Sequence, residues 1–393
     1  YILFAGTWAP LELIPIEAYS MLTGNTIAAI PMFTLAGFIL SESKAGERLI
    51  GLFKALFGWI PGGMAVAAVF VCAFFTTFTG ASGVTILALG ALLAFILEGD
   101  GGYKKNFSQG LLTASGSIGL LFPPSLPIIL YGVIAQISIK DLFIGGIIPG
   151  FLMVFVLSGF GIIIAVKSKI PRTKFKISLV LSSFKESIWE IILPIIILVF
   201  YFGGITTIVE TGAVAVIYAL IVEVVIQKDI KYRNIVSIFL KSIPIIGGIL
   251  IILASSRGLS YYIIDAEIPM KLTAWVEINI SSKYVFLILL NLALLVTGSL
   301  MDIFSAIMVV VPLMIPLGNI FGIDPVHLGI IFLANLELGY LTPPVGLNLF
   351  LASYRFEEPL GEIYKTVIPF FLMLLFIVLL ITYFPWLSTG LLK

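Results

Sequence analysis

The chain has 393 residues, of which 60% are hydrophobic and only 11% charged, and its mean hydropathy is +1.18. Such values exclude a soluble globular domain, while a net charge of +1 with scattered basic residues leaves no nucleic-acid footprint. A lone Cys72 and a lone His327 exclude a disulfide framework and a His/Cys metal cluster within the chain.

In chain order, an amphipathic stretch over about 42–58 precedes a bent hairpin whose tip is Thr79-Gly80-Ala81-Ser82-Gly83. The loop over 98–106 carries Lys104 and Lys105, and the next apolar run is interrupted at Ile118-Gly119-Leu120-Leu121-Phe122-Pro123-Pro124. Proline removes an amide donor and blocks the preceding turn, so carbonyls are freed where lipid offers no water. A long apolar run over 142–166 closes the series. A basic linker over 170–187 (Arg172, Lys174, Lys176, Lys185) leads to apolar runs over 188–202 and 211–226, and Lys228, Lys231, Arg233 and Lys241 follow.

The series then repeats. A second amphipathic stretch is expected over about 258–280, a second tip at Thr297-Gly298-Ser299-Leu300-Met301-Asp302, and a second break at Leu338-Gly339-Tyr340-Leu341-Thr342-Pro343-Pro344, before a closing run over 363–384. Pro343 follows Pro123 by 220 residues, Pro369 follows Pro149 by the same 220, and Gly298 follows Gly80 by 218. Shared order and spacing predict two structural repeats, 1–169 and 188–393. Since the sequence starts at Tyr1, the offset places about one further helix and part of a second ahead of it. Basic residues mark the cytoplasmic side. Tracing from the linker puts Lys104 and Lys105 inside and the counterpart loop from Gly318 to Asp324, which has no Lys or Arg, outside, so the repeats are inverted. The fold expected is an all-α polytopic membrane protein with inverted repeats, re-entrant hairpins and broken helices. A transport core is expected over about 62–138 and 284–354, against a scaffold over about 1–24 and 188–250.

Paired interrupted helices in corresponding halves point to a transporter's substrate and ion site. The tips and breaks collect Thr79, Ser82, Thr85, Ser115 and Ser117 in the first half, and Thr297, Ser299, Asp302, Asn335, Glu337 and Thr342 in the second. Hard oxygen donors suit an alkali cation, and half-helix N-termini suit an anion. The ion ligands expected are Thr79, Gly80, Ser115, Gly119, Gly298, Asp302, Asn335, Gly339 and Thr342, with Na⁺ as coupling ion and no other cofactor. Ser82, Ser125, Ser299 and Asn348 are expected to meet the substrate. Each hydroxyl taken singly is more readily a structural hydrogen-bond donor than a ligand, and only their clustering at the breaks favours a site. An ionised carboxylate near the bilayer centre costs at least ~2.5 kcal/mol, so Asp302 calls for a partner such as a cation, the plain alternative being a helix N-cap. Glu337 is read first as a structural acid sharing a hydrogen bond with Asn335, the alternatives being a proton-titrating carboxyl and a rim residue in water. Arg257 is read as an interfacial arginine or a partner of an anionic substrate, and His327 as a residue at an outer helix start.

Several segments resemble the large membrane subunit of tripartite ATP-independent periplasmic (TRAP) transporters, the DctM-like family. They are Ile60-Pro61-Gly62-Gly63, Ala114-Ser115-Gly116-Ser117-Ile118-Gly119, Gly145-Gly146-Ile147-Ile148-Pro149-Gly150, Gly322-Ile323-Asp324-Pro325 and Leu341-Thr342-Pro343-Pro344-Val345-Gly346-Leu347-Asn348-Leu349-Phe350. The resemblance implies a Na⁺-coupled importer of an organic acid, working as an elevator in a bacterial inner membrane. It also implies a periplasmic substrate-binding protein that delivers the acid, and a small four-helix membrane subunit. Two alternatives stand beside it: a stand-alone proton- or Na⁺-coupled carboxylate carrier using Glu337, and an intramembrane serine protease built on Gly80-Ala81-Ser82-Gly83 with His327 as base.

Overall fold

The structure, a computed structural model, describes residues 9–24, 26–80, 82–170, 172 and 174–392, with the backbone alone over 9–14. Ala81 of the first tip and residues 1–8 of the expected scaffold lie outside the described residues. Every regular element described is helical. Residues 9–57 form α1 (Ala9–Leu22), α2 (Ala29–Ser41) and α3 (Ala45–Phe57). The first hairpin follows as α4 (Gly63–Thr79) and α5 (Ser82–Glu98).

The first broken span is α6 (Lys105–Ser115), a 3₁₀ turn (Ile118–Leu121) and α7 (Leu126–Ala135), bent by 45°. The long α8 (Ile139–Lys167) closes the half. Next come α9 (Ile177–Phe202), α10 (Ile208–Leu220), which continues as a π turn (Ile221–Ile226), and α11 (Ile235–Asp265). The second half then runs through α12 (Ile268–Asn279), α13 (Lys283–Leu300), α14 (Ile303–Ile320), α15 (Pro325–Gly339), α16 (Leu347–Phe356), α17 (Leu360–Tyr383) and α18 (Trp386–Thr389).

The elements of the second half fall where a shift of about 220 residues puts those of the first, so α4 matches α13, α5 matches α14, the broken α6–α7 matches α15–α16 and α8 matches α17. Both doublets interrupt their helices, and in both the Pro–Pro peptide is cis. Pro149 and Pro369 lie inside α8 and α17. The lipid-length helices carry large exposed apolar side chains, such as Ile217 and Ile221 on α10 and Leu240 and Ile251 on α11, as a bilayer requires. The broken helix α15, by contrast, is buried over nearly all its length.

Three boundaries differ from the sequence reading. The linker is shorter than 170–187, because α9 already starts at Ile177. The second amphipathic stretch does not begin at 258, since α11 runs through Gly258 to Asp265 and only then gives way to α12. The two tips are also not aligned on their Thr-Gly pairs. Gly80 ends α4 in the left-handed region (φ 62°), whereas Gly298 is still helical and the chain turns at Met301-Asp302.

One polar hub ties α3 to α9 and to the π turn that follows α10. Arg48 on α3 donates from Nε to Glu190 of α9 (2.6 Å), from Nη1 to Asp229 (2.5 Å) and from Nη2 to Glu223 in the π turn (2.9 Å). The Glu190 and Glu223 side chains are fully buried. One guanidinium thus serves three acids from three segments, which fixes α3 against α9 and α10.

Candidate functional site

Both tips and both breaks converge on one cavity of about 240 Å³. Its wall includes Gly80 and Ser82 of the first tip, Leu120 of the first break, Asp302 of the second tip and Tyr340 of the second break. Ile245 of α11 closes one side, and Leu347 and Leu351 of α16 another. No Lys, Arg or His lines it among the described residues.

The backbone reaches this arrangement through glycine. A β-carbon on Gly339 would fall 2.5 Å from the Gly298 Cα, so break and hairpin of the second half pack main chain against main chain. Gly119, its counterpart 220 residues earlier, does the same in the first half, where a β-carbon would fall 2.3 Å from the Ala73 carbonyl oxygen. Thr76 and Thr77 of α4 then donate to the Gly116 and Gly119 carbonyls at 2.7 and 3.1 Å, satisfying acceptors that the break frees. In the second half the Val345 and Gly346 amides donate to the Ser299 carbonyl at 3.2 and 3.1 Å, binding break to tip.

Asp302 caps α14. One carboxylate oxygen accepts the Phe304 and Ser305 amides at 2.9 and 3.3 Å, and the other accepts the Ser305 hydroxyl. The Ile303 amide donates to the Tyr340 hydroxyl at 2.7 Å, so the break also contributes to this helix start. Asp302 therefore faces the cavity with its charge offset by amide and hydroxyl donors and by no basic side chain.

The structure brings together only part of the expected set. Gly80, Ser82 and Asp302 line the cavity; Thr79 adjoins them, and Gly119, Gly298 and Gly339 form the packing seams beside them. Ser82 and Ser125 are buried with hydroxyls that have no partner, and Leu126, next to Ser125, packs on Gly80. Asn348 bridges the halves: its amide donates to the Thr113 carbonyl and the Ser117 hydroxyl, both at 3.3 Å, while its Oδ1 is buried without a partner.

Other residues point elsewhere. Asn335 donates to Asn291 of α13 at 2.7 Å, within a buried group that includes Thr382. Ser115 bonds back to the Leu112 carbonyl at 3.4 Å, and the Ser299 hydroxyl to the Val296 carbonyl at 2.8 Å. Thr342 bonds to the Leu338 carbonyl and opens onto a separate apolar cavity against α17, lined by Tyr364, Ile368 and Phe371.

The expected hydrogen bond between Glu337 and Asn335 is absent, because residues two apart on a helix face opposite ways. Both Glu337 oxygens are buried without a partner. Arg257 of α11 is paired with Glu17 at 2.9 Å. His327 does start a helix, but it is buried, 2.6 Å from the Ser388 hydroxyl and 3.3 Å from the Thr382 carbonyl. The Ser82 hydroxyl has no hydrogen bond at all, so the serine–histidine pair that a protease needs is not formed. Tyr340, Ile245, Leu347 and Leu351 were not singled out from sequence; the aromatic residue directly after Gly339 at the break was the one available signal.

A family model described as the tripartite ATP-independent periplasmic transporter, DctM component, matches residues 1–387. The chain belongs to this family. It is 33% identical over 369 residues to the C4-dicarboxylate TRAP transporter large permease protein DctM of Pseudomonas aeruginosa, covering 93% of this chain and 86% of that one. It is 31% identical over 378 residues to the isethionate TRAP transporter permease protein DctMQ of Oleidesulfovibrio alaskensis, covering 96% of this chain and 59% of that one. It is also 28% identical over 382 residues to the 2,3-diketo-L-gulonate TRAP transporter large permease protein YiaN of Escherichia coli, covering 96% of this chain and 90% of that one. The crystal structure of the Alcanivorax borkumensis YdaH transporter, reported to have an unusual topology, superposes with a TM-score of 0.67 at 15% identity, over 99% of this chain and 90% of that one. As a DctM component the chain is a multi-pass transporter permease, with the tip-and-break cavity as its candidate site.

Proposed function

We propose that this permease takes up a small organic acid together with Na⁺, by elevator travel of the hairpins and broken helices against α9–α11. The observation that carries this reading is the charge inventory of the cavity. Among the described residues an anion entering it meets Asp302 and no lysine, arginine or histidine, so its charge and that of Asp302 both call for a cation. Carbonyls at the tips and breaks, with Asp302, offer the oxygen-only donor set that an alkali ion takes. A cavity of about 240 Å³ suits a small ligand better than a large one. The names of the relatives, which cover C4-dicarboxylates, isethionate and a diketo sugar acid, support a small acid as cargo.

In this reading the acid arrives on a periplasmic substrate-binding protein, a small membrane subunit braces the scaffold, and the complex sits in a bacterial inner membrane. Uptake in proteoliposomes against imposed Na⁺ and pH gradients, with and without the binding protein, tests it. Accumulation should follow the Na⁺ gradient and require the binding protein. Accumulation that ignores Na⁺, follows the pH gradient and needs no binding protein would instead support the stand-alone carrier, the reading favoured by the unpartnered carboxyl of Glu337.

A further inference from the structure

The α5–α16 seam that walls the cavity continues past Leu351. Helices α5 and α16 run side by side away from the tips, and their contacts continue in register: a β-carbon on Gly83 would meet Leu351 Cδ1 at 2.7 Å, and one on Gly90, two turns on, would meet Arg355 Cγ at 3.4 Å. Leu347, Leu351 and Arg355 are spaced four apart, so they form one face of α16. Arg355 therefore stands one turn beyond the cavity wall. It lies toward the end of the molecule bearing Lys104 and Lys105, because Glu358, three residues later, pairs with Lys105 at 2.5 Å.

Arg355 is half-buried, and its Nε is buried without a hydrogen-bond partner. No carboxylate pairs with it among the described residues. Glu358 is committed to Lys105, and Glu357 turns away in the left-handed region (φ 54°) to an exposed position. A guanidinium that is part-desolvated and unpaired is costly unless something anionic satisfies it. Its planar fork matches a carboxylate in two parallel hydrogen bonds. The cavity itself offers no cation, so Arg355 is the first positive side chain on the α5–α16 face leading from it.

We propose that Arg355 is a second, release-side binding station for the organic anion, taking the carboxylate as it leaves the tip-and-break cavity toward the side of Lys104 and Lys105. This rests on the uptake function proposed above. The station lowers the charge penalty of a carboxylate leaving its co-transported cation. It also gives that face of the protein an affinity for the acid that the opposite face does not depend on.

The test uses membrane vesicles of both orientations carrying the permease with its partner proteins, and succinate as the probe. Wild-type uptake is read first, and no uptake of succinate or of the acids carried by the relatives would count against the transport function itself. Where the wild-type protein transports, Arg355→Gln should raise the half-saturating succinate concentration on the Lys104/Lys105 face roughly tenfold and leave that of the opposite face unchanged. Arg355→Lys, which keeps the charge and loses the fork, should fall between. Equal values for all three proteins on the Lys104/Lys105 face, or an equal change on both faces, overturn the station. Should Arg355→Gln fail to fold, Arg355→Lys carries the test: a half-saturating succinate concentration raised on the Lys104/Lys105 face alone supports the station, and no change on that face overturns it.

Discussion

At Gly339 one hydrogen atom decides whether break and hairpin can meet. A methyl group there would fall 2.5 Å from the Gly298 Cα, and both sides of the contact are backbone, so no side chain can swing aside. Gly339→Ala should cost about 1–3 kcal/mol and depress transport, and Gly119→Ala should behave alike, read as a lowered unfolding temperature in detergent. Gly247→Ala on α11 meets open space and should be neutral or slightly stabilising. Asn348 permits a different residue-scale prediction. Its amide ties the second break to Thr113 and Ser117 of the first half. Asn348→Asp loses those donors while keeping the shape, and should weaken uptake of the acid more than it lowers stability, measured as half-saturation against unfolding temperature. These residues also show how much of the site was legible. Gly80, Ser82 and Asp302 could be placed at the cavity because proline and glycine mark where helices stop. Asn335 could not, since which way a side chain faces depends on the helix's rotation, and Asn291 captures it from α13.

At the scale of elements, the broken helices follow from local chemistry, as each double proline interrupts an apolar run long enough to span. The docking of α3 does not. Arg48, Glu190, Glu223 and Asp229 are scattered over some 180 residues and carry no local pattern, yet they form the hub that holds α3 to α9 and α10. Nothing in a sequence period could have joined them. Removing the guanidinium leaves fully buried carboxylates facing one another, so Arg48→Leu should destabilise by about 3–5 kcal/mol, seen as lost folded yield or a fall in unfolding temperature. Adding Glu190→Gln and Glu223→Gln to Arg48→Leu should recover much of that loss, because the unpaired charge, more than the missing contact, carries the cost. The misplaced start of the second amphipathic helix has a plainer origin. Gly258 is buried inside α11, which runs unbroken to Asp265, so a residue type that often ends a helix does not end this one.

For the whole molecule, the duplicated order of elements explains why a cavity forms at the centre. Two hairpins and two broken helices approach from matching halves, and Gly80, Leu120, Asp302 and Tyr340 bring the four ends to the cavity. The enclosing helices are apolar outward and small-residue-rich inward, so the polar ends are shielded from lipid. Cation coupling is the central claim, and it turns on the charge of Asp302 within that cavity. Asparagine caps a helix about as well as aspartate, so Asp302→Asn removes the charge while keeping the α14 start. The decisive measurement is acid uptake by wild-type and Asp302→Asn proteoliposomes over a range of Na⁺ concentrations, with unfolding temperatures matched. The wild-type protein should show uptake that rises with Na⁺, and Asp302→Asn should need roughly tenfold more Na⁺ or lose the dependence. Identical Na⁺ curves for the two proteins would contradict the account.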